Sequence, residues 1–587
     1  MRDEREFLQS PPALGNQYLG DRVLRSWLRR TLPPEVLDAL EPDLRRLGER
    51  AVTDILALGE AAEAAPPRHV PYDAWGRRVD HIETSDAWRA LDRVSAEEGL
   101  VAIGYERTHG ALARVDQFAR LYLFAPSSAT YSCPLAMTDG AARCLELYGD
   151  DELRRVALRH LTSRDPATFW TSGQWMTERT GGSDVSRTST VARAVGNGRP
   201  EEYRLYGTKW FTSATTAQVA LTLARIDGAP PGSAGLSLFF VELRDQQGAL
   251  QGIRVNRLKE KLGTRALPTA ELTLDGAPAR RGGGPRHGGR KIAALLNITR
   301  LYNAVCAVAG MRRAVALATD YAVKRAAFGR PLIEQPLHIE TLAAMSVECE
   351  AAFHLVFHLA GLLGKEECGT VNDDERALLR LLTPVAKLYT GKQAIAVASE
   401  ALEAFGGAGY VEDTGLPRLL RDAQVLSIWE GTTNVLSLDV LRATAKGDVL
   451  GPFAGDVARR LDAVTLPGLL PSVTRVRDAA RRVAAYVERA AAEGAEFQQA
   501  GARALAYAFA RTYAAALLLE HADWSARHEG DRRSATSAVR WCAQELAPLA
   551  EPDAEHRGES AGLVREGLAG RAAGGVVMRH QGVGSRE

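Results

Sequence analysis

Apolar residues recur every three to four positions in the first part of the chain, which is the spacing of amphipathic helices. This spacing predicts helices over 22–32, 34–62, 85–100 and 140–149, with a loop at 64–80. Residues 1–165 are therefore predicted to form an N-terminal helical domain.

The pattern changes between 166 and 280 to short runs rich in β-branched and aromatic residues, separated by Gly, Pro and Asp. These runs lie at 203–214, 219–226, 236–243, 253–258 and 270–274. Short strands at this spacing predict a small antiparallel barrel or sandwich. The Gly/Arg-rich stretch 276–290 that follows is interpreted as a flexible surface connector, and the alternative is a basic lip that meets a phosphate.

Helical spacing returns over 281–445, with long patterns at 291–325, 336–364 and 373–405. Pro384 should kink the third helix or mark its first turn. Residues 446–587 are Ala/Arg/Glu-rich and predicted to be helical, ending in a Gly-rich tail. The chain is thus predicted to be α+β and mostly helical, with an extra C-terminal helical domain, and ligands are expected where its domains meet.

Composition narrows the class of protein. Of the 587 residues, 46% are hydrophobic and 25% charged, which excludes a disordered chain, a collagen and a coiled-coil rod. Lys and Arg number 73 against 72 Asp and Glu, so the chain lacks the basic excess of most nucleic-acid binders. The six scattered cysteines, the charged N-terminus and the absence of an apolar run of about 18 residues predict a cytoplasmic protein without disulfides or membrane spans.

Several common site motifs are absent from the sequence. No strand is followed by Gly-x-Gly-x-x-Gly, and neither a P-loop nor Gly-x-Ser-x-Gly occurs, which disfavours a Rossmann site, an NTPase and an α/β-hydrolase. His354 and His358 have the spacing of metal ligands on a helix. Their neighbours are apolar, so we interpret them as packed helical histidines and predict no metal site.

Four segments combine polar groups with glycines or aromatic rings: 174–190, 207–215, 323–337 and 403–443. In the last of these, Glu430 stands alone between Trp429 and Gly431, just before Thr432 and the start of a helix. A carboxylate desolvated beside an aromatic ring is a plausible general base. The alternative is a capping carboxylate near a helix N-terminus.

Taken in order, the four segments resemble the acyl-CoA dehydrogenase family. They contain its Thr-Glu-x-x-x-Gly-Ser-Asp motif, Trp-x-Thr strand, Arg-x-x-Phe-Gly element, Gly-Gly-x-Gly-Tyr loop and Glu-Gly-Thr segment. The stretches 72–80, 132–142, 176–185 and 427–442 are most similar to the AidB subgroup. The resemblance implies an N-terminal helical domain (1–165), a middle β domain (166–280), a C-terminal helical bundle (281–445) and an added helical domain (446–587).

The resemblance also implies FAD as cofactor, an acyl-CoA substrate, a homotetramer and electron-transfer flavoprotein as a possible partner. Glu430 corresponds to the catalytic base, while Ser183, Arg300 and Gly431 correspond to substrate-binding positions. Gln335 and Glu403 replace the His and Gln of many relatives. The positions that correspond to FAD-binding residues are Met176, Thr177, Gly182, Ser183, Trp210, Phe211, Thr212, Arg325, Phe328, Gln335, Gly406, Gly407, Ile428, Trp429, Thr432 and Asn434.

Three functions remain open at this point. The first is an FAD-dependent acyl-CoA dehydrogenase with Glu430 as base. The second is an AidB-like flavoprotein that binds DNA or deactivates alkylating agents. The nearly balanced charge of the C-terminal domain gives DNA binding little support. Arginines 475, 477, 481, 482 and 489 could still form a basic face there, unless Asp478 and Glu488 pair with them. The third is an acyl-CoA oxidase, which also carries an added helical domain.

Overall fold

The computed structural model describes residues 9–196, 201–284, 288–549 and 554–565. The predicted N-terminal helices are present, and the stretch 34–62 is divided into two by a turn after Arg50. Side chains cap several of these helices: the Asp21 carboxylate accepts from the Leu24 amide at 2.9 Å, and the Ser85 hydroxyl accepts from the Trp88 amide at 3.1 Å. The helices are α1 (Arg22–Thr31), α2 (Pro34–Arg50), α3 (Asp54–Ala64), α4 (Asp86–Glu97), α5 (Ile103–Glu106), α6 (Ala113–Phe124), α7 (Ser132–Tyr148), α8 (Asp151–Leu153) and α9 (Arg159–Leu161).

The prediction of a loop over 64–80 is wrong for most of that stretch. Strands β1 (Arg68–Tyr72) and β2 (Arg78–Glu83) form an antiparallel hairpin there. The Asp73 carboxylate closes its turn by accepting from the Trp75 and Arg77 amides, each at 2.9 Å. Asp73 and Gly76 therefore mark the turn of a hairpin, and Pro71 lies within β1.

The middle β domain is confirmed as a barrel-like sheet. A closed ring runs β6–β4–β5–β9–β7 and back to β6, while β3 pairs with β6 and β8 with β9. The antiparallel prediction is wrong for two pairs, because β3 and β4 each run parallel to β6. The chain between each pair passes through β5, which gives the long connection that parallel strands require. The strands are β3 (Ser172–Trp175), β4 (Val191–Ala194), β5 (Glu202–Ser213), β6 (Val219–Ile226), β7 (Leu236–Glu242), β8 (Ile253–Leu258) and β9 (Thr269–Arg281).

The predicted connector 276–290 is too long at both ends, because residues 276–281 belong to β9 and residues 288–290 to α10. Ala277 and Ala279 point into the barrel core, and such small residues give a weak alternation signal. Arg280 pairs with Asp150 at 2.8 Å and also with Glu152, so carboxylates of the same chain neutralise its charge. Part of the remaining connector, 285–287, lies outside the described residues.

A bundle of long helices follows the β domain. Within it a two-residue turn joins the short strands β10 (Ala326–Ala327) and β11 (Arg330–Pro331). Pro384 lies inside α12, so the alternative that it marks a first turn is wrong. By length and composition α10 and α11 could each cross a membrane, but 67% and 72% of their apolar windows are buried against other helices. The bundle helices are α10 (Gly288–Lys324), α11 (Pro336–Glu367), α12 (Asp373–Ala404), α13 (Pro417–Leu426) and α14 (Thr433–Lys446).

The added C-terminal helices share one hydrophobic core with the bundle and the N-terminal helices. His354 and His358 pack at this junction as predicted. The His354 ring lies 4.6 Å from that of His521, and the Tyr513 hydroxyl lies 2.9 Å from His358 Nε2. The helices are α15 (Leu450–Asp462), α16 (Leu470–Glu493), α17 (Ala495–His528), α18 (Arg533–Cys542) and α19 (Ala554–Arg565), and the predicted Gly-rich tail lies outside the described residues.

The arginines of α16 are largely engaged within the chain. Arg477 pairs with Asp462, Arg481 with Asp478, and Arg482 with Glu545 at 2.9 Å. Arg489 lies 3.7 Å from Glu493, so Glu493 takes the place predicted for Glu488. Arg475 donates to the Cys542 carbonyl at 3.3 Å.

Candidate active site

Glu430 lies in the loop between α13 and α14, in an unusual backbone conformation. Its φ is +57°, a left-handed value that costs a non-glycine residue about 1–2 kcal/mol. Its carboxylate accepts a hydrogen bond from the Thr299 hydroxyl at 2.6 Å. The predicted alternative, a capping carboxylate, is wrong because Thr432 supplies the N-cap of α14 by accepting from the Val435 amide. Strain of this kind is typical of functional positions.

One face of α10 supports the Glu430 loop. Thr299 meets the carboxylate, and one turn later the Asn303 side chain accepts from the Trp429 indole. The Asn303 amide also donates to the Leu426 carbonyl at 3.1 Å. The Trp429 indole and the Glu430 carboxylate are therefore both held by α10.

Arg300 lies next to the same loop. Its guanidinium is 3.4 Å from the Glu430 carbonyl and pairs with Asp439 at 2.9 Å. Arg380 pairs with the other oxygen of Asp439 at 2.8 Å. Arg300 thus braces the loop against α14, and its contact with substrate stays a prediction.

A narrow cavity of about 100 Å³ opens beside Trp429. Alanines line much of it, and Gly310 forms part of its wall on α10. A Cβ at Gly310 would meet no atom within 4 Å, so this wall leaves room for a ligand. The lining residues are Ala125, Pro126, Ala129, Thr130, Ser132, Cys306, Gly310, Ala394, Ala398, Arg418, Leu419, Asp422, Ala423, Val425, Leu426 and Trp429.

Cys133 links the β domain to this site. Its thiol lies near the Ser213 side chain at the end of β5, and the charge of Glu430 acts on it. Burial raises the pKa of Cys133 to about 12, so the group is a neutral thiol at physiological pH. The end of β5 therefore lies on the Glu430 side of the bundle.

The segment after β3 is organised around a buried ion pair. Lys209 lies 2.9 Å from Glu178, which also accepts from Ser189 and Thr190. Burial acts to raise the pKa of Glu178, but these partners outweigh it and lower the pKa to about 2. The pair fixes the neighbouring residue Thr177, whose carbonyl accepts from the Trp210 amide at 2.9 Å.

Predicted ligand-binding residues surround this segment. Met176 and Thr177 are half-buried and Ser183 is exposed. A Cβ at Gly182 would lie 2.5 Å from the Thr177 hydroxyl, so glycine is required for this close approach.

A bulge in β5 presents Trp210 and Phe211. The pairing with β9 shifts between Lys209 and Thr212, and Phe211 has a φ of +55° and is 59% exposed. The Lys259 ammonium lies 3.7 Å from the centre of the Trp210 ring. Thr212 differs from the prediction, because its hydroxyl is buried and donates to the Ala270 carbonyl. That hydroxyl has no proton left to donate to a ligand.

A second cavity, of about 490 Å³, lies at the other end of the bundle. It brings together the predicted residues Arg325, Gly406 and Gly407, with Glu403 beside them. Gln335 instead braces the β10–β11 turn by donating to the Ala327 carbonyl at 3.0 Å. Phe328 at the tip of that turn is 99% exposed. Of the remaining predicted residues, Ile428, Thr432 and Asn434 are exposed and Gly431 is half-buried.

Comparison with known proteins identifies the family. Acyl-CoA dehydrogenase family member 11 of Caenorhabditis elegans is 46% identical over 555 residues, which cover 92% of this chain and 89% of the relative. The AidB protein of Escherichia coli (strain K12) is 34% identical over 440 residues, covering 73% and 78%. The chain belongs to the acyl-CoA dehydrogenase family.

Family models and solved structures agree with this assignment. The matches are the AidB N-terminal domain (9–165), the acyl-CoA dehydrogenase middle (173–277) and C-terminal (286–445) domains, and the acyl-CoA dehydrogenase 11 C-terminal domain-like model (448–563). The crystal structure of C. elegans ACDH-11 in complex with C11-CoA has a TM-score of 0.93 at 43% identity, covering 97% of this chain and 98% of that one. The Bd2924 apo-form has a TM-score of 0.82 at 51% identity, covering 88% and 99%.

FAD is the cofactor of acyl-CoA dehydrogenases, and the residues here fit it. A Bacillus anthracis acyl-CoA dehydrogenase complexed with FAD shares the fold, with a TM-score of 0.72 at 19% identity. In the larger cavity Gly406 has a φ of +61°, and a Cβ at Gly406 or Gly407 would meet no atom within 4 Å. This glycine loop leaves its backbone open to a ligand, and Arg325 in the same cavity would offer a positive charge to a phosphate.

Several supporting residues were not predicted from the sequence. Thr299 and Asn303 lie one helical turn apart on α10, and both contact the Glu430 loop. Their spacing is visible in the sequence, but the sequence does not show which helix faces the loop. Lys387 lies in α12 within the buried run 383–390. A single lysine inside such an apolar stretch was a signal available in the sequence.

Proposed function

We propose that this protein is an FAD-dependent acyl-CoA dehydrogenase that removes the α and β hydrogens of an acyl-CoA thioester, with Glu430 as the base. The observation that carries the assignment of the base is the strained, braced Glu430, which directly follows Trp429 in the wall of a narrow cavity. Membership of the acyl-CoA dehydrogenase family supports the same role for the carboxylate.

The protein's own residues would act on the α-proton. The α carbon of a thioester is a weak acid, so its proton must be taken by a positioned base. The Glu430 carboxylate accepts that proton while the Thr299 hydroxyl keeps its orientation. FAD, when bound, would supply the two-electron oxidant for removal of the β hydrogen. Trp429 and the adjoining bundle helices shield the reacting carbons from water.

The narrow cavity supports an acyl tail as its ligand. Its walls are mostly apolar, and Ala394 and Ala398 leave space along one face of α12. The solved structure of C. elegans ACDH-11 is a complex with an acyl-CoA, C11-CoA. We also propose that the protein is a cytoplasmic homotetramer. Electron-transfer flavoprotein is the proposed acceptor of its electrons.

One experiment tests the proposal against its alternatives. The FAD-loaded protein is mixed anaerobically with straight-chain acyl-CoAs of increasing length, and flavin absorbance is followed. We expect bleaching and formation of the 2-enoyl-CoA for at least one length. Fast reoxidation by oxygen with peroxide release would instead indicate an oxidase. No bleaching at any length, with salt-sensitive retention on DNA, would support the AidB-like alternative, against which the engaged arginines of α16 argue.

A further inference from the structure

Lys387 lies fully buried in α12, directly behind the Glu430 loop. Its ammonium group donates to the Trp429 carbonyl at 2.5 Å and to the Gly431 carbonyl at 2.6 Å. These two carbonyls flank Glu430 on either side. A single cation therefore bridges the carbonyls of the residues before and after the proposed base.

The cost of burying this lysine argues for a specific role. No ion pair of Lys387 with a carboxylate occurs within the described part of the chain, and its neighbours 383–390 are all buried. A buried ammonium without a paired carboxylate is expensive, and an apolar side chain of similar length would pack there at lower cost. The two carbonyl hydrogen bonds are what the lysine provides and an apolar residue would not.

The backbone that the lysine holds is the strained one. Glu430 has a φ of +57° and Gly431 a φ of +104°. Such a conformation persists only where surrounding contacts hold it. From α10, the Thr299 hydroxyl donates to the Glu430 carboxylate at 2.6 Å.

We infer that Lys387 is a positioning residue for the proposed base: its ammonium clamps the carbonyls flanking Glu430 and so keeps the carboxylate turned toward Thr299. This inference rests on the proposed function for its catalytic part, and on the loop geometry alone for its structural part.

The charged surroundings make the clamp sensitive to pH. Burial lowers the pKa of Lys387 to about 7, while the Glu430 carboxylate acts to raise it and the Arg300 guanidinium to lower it. Asp439 on α14 lies behind Arg300 and pairs with it and with Arg380 of α12. As pH rises through about 7 the ammonium becomes a neutral amine, which is a weaker donor to both carbonyls.

The first test is kinetic and uses the FAD-loaded protein. Lys387→Met removes the donors at similar length, and Lys392→Met is the control on the same helix. We expect flavin reduction at saturating acyl-CoA to slow by about tenfold or more, because a misplacement of ~1 Å can cost about 10²-fold. Acyl-CoA affinity should be unchanged, and the limb near pH 7 in the wild-type rate profile should vanish. A Lys387→Met protein with the wild-type rate and pH profile would overturn the inference.

The second test needs no turnover. Thermal midpoints are measured for Lys387→Met, Glu430→Gly and the double variant. Glycine adopts a positive φ without strain, so losing the clamp should lower the midpoint less in the Glu430→Gly background. Equal losses of thermal midpoint in both backgrounds would refute the clamp, and this outcome does not depend on whether Glu430 is the base. Lys387→Gln, which keeps an amide donor, replaces Lys387→Met if that variant does not fold, and should give an intermediate rate.

Discussion

At the scale of single residues, Glu430 is the position on which the chemistry depends. Glu430→Gln keeps the size of the side chain and can still meet Thr299, but the amide cannot take up the α-proton. General-base catalysis contributes about 10²–10⁴-fold, so flavin reduction should slow by that factor while FAD and acyl-CoA still bind. Stopped-flow bleaching at saturating acyl-CoA measures the effect. A Glu430→Gln rate of flavin reduction within threefold of wild type would show that Glu430 is not the base.

The Lys209–Glu178 pair is a residue-scale feature with a stability role. Burial lowers the pKa of Lys209, yet the ammonium remains paired with a carboxylate whose own pKa is about 2. Lys209→Met leaves Glu178 buried without its cation, which should cost about 3–5 kcal/mol. Lys324→Met, at a half-exposed pair with Asp320, should cost under about 1 kcal/mol. Denaturant unfolding of the two variants compares them, and equal losses would contradict this ranking.

The sequence predicted Glu430, Trp429 and the glycine loops because each carries a recognisable local pattern. It did not predict Thr299, Asn303 or Lys387, since their roles depend on which helix faces the loop. Thr212 shows the reverse limit: the motif was recognised, but its hydroxyl is used inside the sheet.

At the scale of elements, α10 connects the base to the far end of the narrow cavity. Thr299 contacts Glu430, and Gly310 lines the cavity eleven residues later, which is roughly 16 Å at about 1.5 Å per residue. The helix therefore links the proposed base to the cavity that we assign to the acyl tail.

Gly310→Leu should shorten the preferred acyl chain, because its side chain would enter space that is open in the wild type. Reduction by the longest accepted acyl-CoA should fall at least about tenfold, and by short ones little, as each CH₂ denied burial costs about 0.8 kcal/mol. Gly361→Leu on α11 is the matched control, since a Cβ there also meets open space but Gly361 is not part of the cavity wall. An unchanged chain-length profile for Gly310→Leu would exclude this cavity as the tail site.

Among the elements, the long helices and most strands follow from periodicity alone. The β1–β2 hairpin and the end of β9 do not, because Pro, Gly and Ala weaken the alternation that marks a strand. The parallel partners of β6 are likewise invisible to local patterns, since each pairing joins segments separated by β5.

At the scale of the whole molecule, exposed apolar residues gather near the larger cavity. Phe328 is 99% exposed, Leu337 82% and Val323 55%. Arg325, in the same region, lines the cavity that we assign to FAD. A neighbouring subunit would cover such side chains, and exposed apolar surface often marks interaction sites. This supports the proposed homotetramer with Arg325 and Phe328 at a subunit interface.

Phe328→Asp tests that assembly without disturbing the local turn. Phe328 and Gly329 form the two-residue turn between β10 and β11, with φ of +53° and +83°. Asp tolerates this left-handed conformation better than Phe, so the turn itself should be retained. A charge buried in an apolar interface is unfavourable, so sedimentation should show smaller species and FAD should bind more weakly. Leu470→Asp, which places a charge at a 46% exposed position on α16, should leave both unchanged. Because the substitution spares the turn, a Phe328→Asp protein that stays tetrameric and fully FAD-loaded would show that this apolar surface faces solvent in the assembled molecule.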